Sequence, residues 1–213
     1  MSLTVFLISY VISVIHDSTP CLLCLLLLAE LFVHSSSRPA PHSPLCGMFR
    51  SMNLQLENLR KISDDLYVLA DGELTNFEGM EHQLDALPHI QHTAAHVTSL
   101  KVNESLSLLS LYTQSFRLHA DWLITAKENV SFPSQSAEGA SSHLLQLSNL
   151  INASLLQIGE EVPQSASPTL PVVSTAFEVL KFSIEISGQL QVFCDWSKRM
   201  VMRLKRLSRC PRH

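Results

Sequence analysis

Glycine is scarce in this chain, 6 in 213 residues, and aromatics make up only 7%. An all-β fold needs many turn residues, so this scarcity argues against one. Charge is thin too: 16% of residues are Asp, Glu, Lys or Arg, and the net charge is −4. Such a balance implies neither nucleic acid nor an acidic membrane as a global partner. Beyond residue 35 there is no Gly-rich phosphate loop, no GxSxG, no HExxH and no CxxC. No nucleophile can be paired with a base, so the chain reads as a non-enzyme without a cofactor. His82, His89, His92 and His96 are the only metal-like cluster. Solvated loop histidines are the plainer account of them, and no metal is expected.

What is present begins with a greasy leader. An apolar run from Cys21 to Val33 is followed by Ser35-Ser36-Ser37, and a second run, Leu3 to Ile15, precedes it. Val33 and Ser35 suit the −3 and −1 sites of a signal peptidase, so residues 1–35 read as a signal peptide and 36–213 as the mature domain. The leader lacks the usual early cation, because no Lys or Arg precedes Arg38. A membrane anchor is the competing reading. His16, Asp17 and Pro20 break the runs, so neither reaches the ~20 residues a span requires. Three sequons, at Asn103, Asn129 and Asn152, are candidate glycosylation sites and fit secretion.

Hydrophobic residues make up 46% of the chain, enough for a proper core. Four segments carry apolar residues at three- and four-residue steps, near 49–70, 101–127, 140–158 and 174–208. Examples are Met52, Leu56 and Leu59 in the first and Val179, Ile186, Leu190 and Phe193 in the last. Thr175 and Glu178 have the spacing of a capping box at the start of the last helix. The connections run long, short, long. A helix of ~22 residues is ~33 Å long, so returning to its far end takes about ten extended residues. Asp71–Leu100 and Glu160–Val173 clear that length, whereas Glu128–Gly139 reads as a local reversal at Pro133. The fold class is therefore all-α: a long-chain four-helix bundle, up-up-down-down, with two long crossover loops.

Three cysteines remain after the leader, Cys46, Cys194 and Cys210. Antiparallel first and last helices would put Cys46 and Cys210 at one end, where a disulfide is feasible; two flexible ends can also miss each other. Cys194 would then be a half-buried free thiol. The C-terminal run Lys198, Arg199, Arg203, Lys205, Arg206, Arg209 and Arg212 is a candidate for heparin-like glycans, against the plainer reading of a solvated helix end. It has no interleaved aromatics, so nucleic acid is not expected. Phe177 lies about 180° from the centre of the last helix's core stripe, with Leu180, Lys181 and Ile184 on its side. Such an outer apolar patch is either covered by a crossing loop or is an interface. Asp195 and Arg199, four apart, also face outward. Trp196 sits at the stripe's edge.

Leu84-Asp85-Ala86-Leu87-Pro88, Ser174-Thr175-Ala176-Phe177 and Asp195-Trp196-Ser197-Lys198-Arg199, in that order, resemble the interleukin-11 family, within the interleukin-6 group of class I helical cytokines. The likeness runs from about the first helix to Leu207. It implies a secreted cytokine, monomeric before receptor assembly. Its partners would be a specific α-receptor and the shared signal-transducing receptor, whose pairing drives JAK–STAT signalling. It implies that Phe177, Lys181, Leu84 and Leu87 contact the signal transducer. Arg199, Asp195, Trp196 and Arg203 would contact the α-receptor. A third surface, on the outer faces of the first and third helices, is implied without named residues. A glycan at Asn152 would obstruct it. Phe177-x-x-x-Lys181 also resembles, with one extra residue, a motif of the leukaemia-inhibitory-factor and cardiotrophin branch, the family-level alternative. From another class, a secreted lipid-binding helical bundle would need amphipathic helices that open onto lipid.

Overall fold

The computed structural model describes residues 44–67, 84, 87–90, 94–165 and 168–211. The leader and most of the first crossover, including Asp85, His82 and His92, lie outside the described residues. The helices are α1 (Pro44–Ser63), α2 (Ala94–Ser99), α3 (Val102–Asn129), α4 (Gln135–Gln157) and α5 (Ala176–Leu207), with a 3-10 turn at Asp64–Leu66 after α1. The described residues hold no strand.

Two boundaries differ from expectation. The first helix starts at Pro44 rather than near residue 49, and proline suits the first helical turn because it has no N–H to leave unpaired. The third starts at Gln135 rather than 140, shortening the reversal to residues 130–134. Its first turns bury Ala137 and Ala140, and a Cβ on Gly139 would meet Ile62 Cδ1 at 3.3 Å. Small residues let α4 approach α1 closely there.

Side-chain contacts set the helix directions. Met48 meets Ser154, and Gln55 meets His143, so α1 and α4 are antiparallel. Ser110 meets Asn152, and Asp121 meets Ser141, so α3 and α4 are antiparallel. Cys46 is bonded to Cys210, and Glu57 pairs with Lys198, so α5 runs against α1. Phe116 stacks on Phe193 with centroids 4.9 Å apart, and Trp122 meets Phe182 edge-on at 5.4 Å, so α5 also runs against α3. Every neighbour is antiparallel, as an up-up-down-down bundle requires. The expected stripes are buried nearly throughout, from Met52 and Leu106 to Leu155 and Leu204. Ile62, Val102 and Ile158 are half-buried near their helix ends, and Leu207, the last helical residue, is 49% exposed.

The helix ends are made by local hydrogen bonds. Glu178 accepts from the Thr175 N–H at 3.1 Å, while Thr175 Oγ1 accepts from the Glu178 N–H at 3.2 Å. That reciprocal cap starts α5. The Ser174 N–H and the Thr175 hydroxyl also donate to Glu178 and, with the Thr175 N–H, hold its carboxyl below the usual range. Helices α3, α4 and α5 end alike. A residue with positive φ sits just beyond each cap: Ser131 (59°), Gly159 (77°) and Arg209 (52°). The next N–H reaches back to Lys127, Leu155 and Lys205 carbonyls respectively.

Candidate receptor-binding surfaces

The last helix carries both expected surfaces at its two ends. Twenty-two residues separate Phe177 from Arg199, about 33 Å along the axis. Phe177 is 56% exposed, in the first turn after the Thr175 cap. Leu180, Lys181 and Ile184 are half-buried around it. The first crossover meets the helix beside this patch. Its Leu84 N–H donates to Glu185 Oε1 at 3.2 Å, and Leu87 N–H donates to Leu84 O at 2.9 Å.

That contact corrects the expectation for Leu84 and Leu87. Each is 2% exposed, so their side chains belong to the core and anchor the crossover. An apolar crossover laid on a helix buries its leucines against that helix, since leaving them in water forfeits ~25 cal/mol per Å². They can position a receptor surface but cannot themselves form one.

At the other end Asp195 and Arg199 are exposed, and no ion pair joins them. Beside them α1 and α5 border an open groove of about 220 Å³ lined by Leu56, Glu57, Arg60, Lys61, Cys194, Asp195 and Lys198. Lys198 and Glu57 pair across it at 2.9 Å. The lysine's hydrogen bond and charge hold the Glu57 carboxyl below its usual range. Cys194 is 2% exposed and unpaired, more deeply buried than expected. Burial pushes its thiol up to about 12, so no thiolate is available.

Two other expected contacts are corrected. Trp196 is 5% exposed and meets the Tyr112 ring edge-on at 5.4 Å, because α3 covers that side of α5. Arg203 is half-buried and donates to Leu100 O at 2.6 Å and to Thr98 O at 2.5 Å. Its guanidinium satisfies the carbonyls at the end of α2 and ties the crossover to α5. Both residues act from behind the surface rather than on it.

Several outward residues escaped the sequence reading, Leu54, Leu145, Leu156, Val192 and Met202 among them. Leu54 is 56% exposed and lies opposite the core stripe of α1. It could have been found by asking which leucines fall off the stripe, rather than which fall on it. Of the sequons, Asn129 is exposed at the end of α3. Asn103 donates to Glu160 at 3.1 Å. Asn152 accepts from Ser110 at 3.2 Å, so its side chain faces α3 and away from the α1 side of α4. The expected conflict between a glycan there and the α1–α4 face therefore eases. Among the described residues His89 is exposed, and no cluster of three metal-ligating side chains is present. No described helix is long and apolar enough to cross a membrane.

Searches of curated proteins and of solved structures return no match. The sequence profile of the family described as Interleukin 11 matches residues 39–208. Proteins of that kind are secreted cytokines of the interleukin-6 group, which act through cytokine receptors rather than by catalysis. The match spans the five described helices, so this chain belongs to the interleukin 11 family of cytokines.

Proposed function

We propose that this protein signals by bridging two receptors along α5. Phe177, with Lys181, packs on the shared signal-transducing receptor of the interleukin-6 group. Arg199, with Asp195, binds a specific α-receptor, and the assembled pair drives JAK–STAT signalling. The observation that carries this reading is the outward placement of Phe177 and Arg199 at opposite ends of one helix. A 33 Å separation lets two receptors engage without collision. Large exposed aromatics and arginines are also the residue types that dominate interface energetics. Leu84, Leu87 and Trp196 support the two surfaces from the core, and Arg203 does so through its bonds to the Thr98 and Leu100 carbonyls. Leu54 belongs to the third surface, on the outer face of α1.

The chain is made with residues 1–35 as a signal peptide, and residues 36–213 act as a monomer until receptors assemble. Asn129, on its exposed helix end, is the sequon most open to glycosylation. The family match favours this reading over the leukaemia-inhibitory-factor and cardiotrophin branch.

Single substitutions test it. Arg199→Ala should weaken binding to the interleukin-11 α-receptor ectodomain by at least tenfold, the scale of a lost hot-spot arginine. Phe177→Ala should leave that binding intact and abolish STAT phosphorylation in responsive cells. Unchanged signalling in both variants would remove the two assignments. Selective binding to the leukaemia-inhibitory-factor receptor would move the protein to that branch.

A further inference from the structure

The seam between α1 and α5 changes character along its length. Glu57 and Lys198 pair across it at 2.9 Å. One heptad further toward the disulfide, the same positions hold Arg50 and Lys205. Seven residues turn a helix by about 20° short of two full turns and advance it ~10.5 Å. Arg50 and Lys205 are therefore the next facing pair of the seam, and they are like charges. The register is fixed on both sides of them: Asn53 Nδ2 donates to Met202 Sδ at 3.7 Å, and Cys46 is bonded to Cys210.

Two more cations adjoin this pair. Arg206 and Arg209 are exposed. Arg209 holds φ 52° in the position after the α5 cap, where glycine is the favoured residue. No carboxylate occurs in residues 44–56 or 196–211. At this end of the bundle Glu104, at the start of α3, and Glu160 and Glu161, just after α4, are the nearby carboxylates; Lys101 N–H donates to Glu104 and Asn103 Nδ2 donates to Glu160. Elsewhere Arg60 and Arg117 each have a carboxylate, Asp64 and Asp121. Arg50, Lys205, Arg206 and Arg209 make no ion pair with any described residue. The helix dipole accounts for cations in the last turn of α5. It does not account for Arg50 in the second turn of α1, or for Arg209 beyond the helix.

We propose that Arg50, Lys205, Arg206 and Arg209 form a binding surface for a linear sulfated polysaccharide. The chain's net charge is −4, so the surface is a local concentration of cations on an otherwise acidic protein. Guanidinium groups present paired N–H donors that match the oxygens of tetrahedral and carboxylate anions. No aromatic residue of 196–211 is exposed to stack on a base, since Trp196 is buried. A secreted cytokine meets sulfated chains outside cells, whereas anionic lipid is concentrated in the cytoplasmic leaflet. The surface adjoins Arg199 without including it, so glycan and receptor can be separated by mutation.

The test uses the disulfide-bonded protein on immobilised heparin and contains no receptor, so its result is independent of the receptor assignments. The wild type should be retained at physiological ionic strength and released by added salt. The triple variant Lys205→Glu, Arg206→Glu, Arg209→Glu should bind soluble heparin on the order of a hundredfold more weakly, at roughly fivefold per surface cation removed. A charge-matched control, Arg60→Glu, Lys61→Glu, Arg117→Glu, should stay within about twofold of wild type, because surface charges outside the contact act weakly through salt. If the triple variant does not fold, Arg50→Glu on the facing helix should still weaken binding about fivefold. Equal loss in both charge-matched variants, or no retention of wild type, would overturn the proposal. So would binding to phosphatidylserine vesicles without binding to heparin.

Discussion

The two ends of the bundle are closed by different chemistry. Where α5 begins, closure is by hydrogen bonds to carbonyls. Lys127 is 5% exposed, and its ammonium donates to Leu66 O at 2.7 Å and Pro133 O at 3.3 Å. Ser187 Oγ donates to Ser63 O at 2.7 Å. These groups satisfy the last carbonyls of α1 and its 3-10 turn, which would otherwise be buried without partners. Where α5 ends, closure is covalent, through Cys46–Cys210, with Arg203 spanning the Thr98 and Leu100 carbonyls. Hydrogen bonds hold an end together only while the helices stay packed. A disulfide acts on the unfolded chain as well, by denying it conformations. The proposed signal-transducer surface thus stands on the reversible end and the proposed α-receptor surface on the stapled one.

The largest effect should come from cutting the staple. Cys46 and Cys210 enclose a loop with a sequence separation of 164. Replacing both by serine should cost about 2–5 kcal/mol in urea unfolding, and an unchanged midpoint would show that the end is held by Arg203 and packing alone. At the opposite end Lys127→Met keeps the stem and removes the ammonium. Leaving the Leu66 and Pro133 carbonyls unpaired should cost about 1–3 kcal/mol. Burial pushes Lys127 below its usual value, so part of that loss is offset by the desolvation no longer incurred.

Backbone geometry gives the next tier. Arg209→Gly should stabilise the stapled end by about 1 kcal/mol, because glycine adopts positive φ without strain. Gly159→Ala should destabilise by a similar amount, about 1 kcal/mol; nothing lies within 4 Å of its added Cβ, so the cost is conformational alone. Both are read from thermal midpoints, and opposite signs are required.

His119 offers a pH handle away from either end. It is fully buried, and its Nδ1–H donates to Ser115 O at 2.8 Å. Burial, opposed by that bond and by the Glu185 charge, lowers its pKa below the ordinary histidine value. The unfolded chain then binds the proton more readily, so the contribution is full above pH ~6.5 and is lost as pH falls through the folded value. Stability should decline as pH is lowered below ~6.5, and His119→Gln should flatten that slope in denaturant titrations. The smallest effect on folding belongs to Phe177→Ala. An exposed site should change stability by no more than about 0.5 kcal/mol while signalling is lost. A large drop in thermal midpoint would mean that Phe177 packs rather than presents.

The helices were readable because an apolar period of three to four is a property of a segment by itself. Their starts were less so. Ala137 and Ala140 are core residues, but a search for large apolar side chains passes over them. The site residues divide by how many elements surround them. Phe177 and Arg199 lie opposite the core on a helix whose own periodicity reveals its outer face. Leu84 and Leu87 sit in a crossover with no period, so their inward direction had no signature. Trp196 lay at the stripe's edge, where burial depended on whether Tyr112 of α3 reached it.

The amino-acid order by itself determined the four amphipathic helices, the up-up-down-down path and the outward sector of α5. Apolar spacing sets a helix's faces, and loop length sets which end the chain returns to. Only the tertiary structure decided which outward residues stay available. It covered Leu84, Leu87 and Trp196, tied Arg203 to carbonyls 103 and 105 residues away in the chain, and brought Cys46 onto Cys210. Burial and pairing are contributed by neighbouring elements, and a helix's own sequence carries no record of what its neighbours place against it.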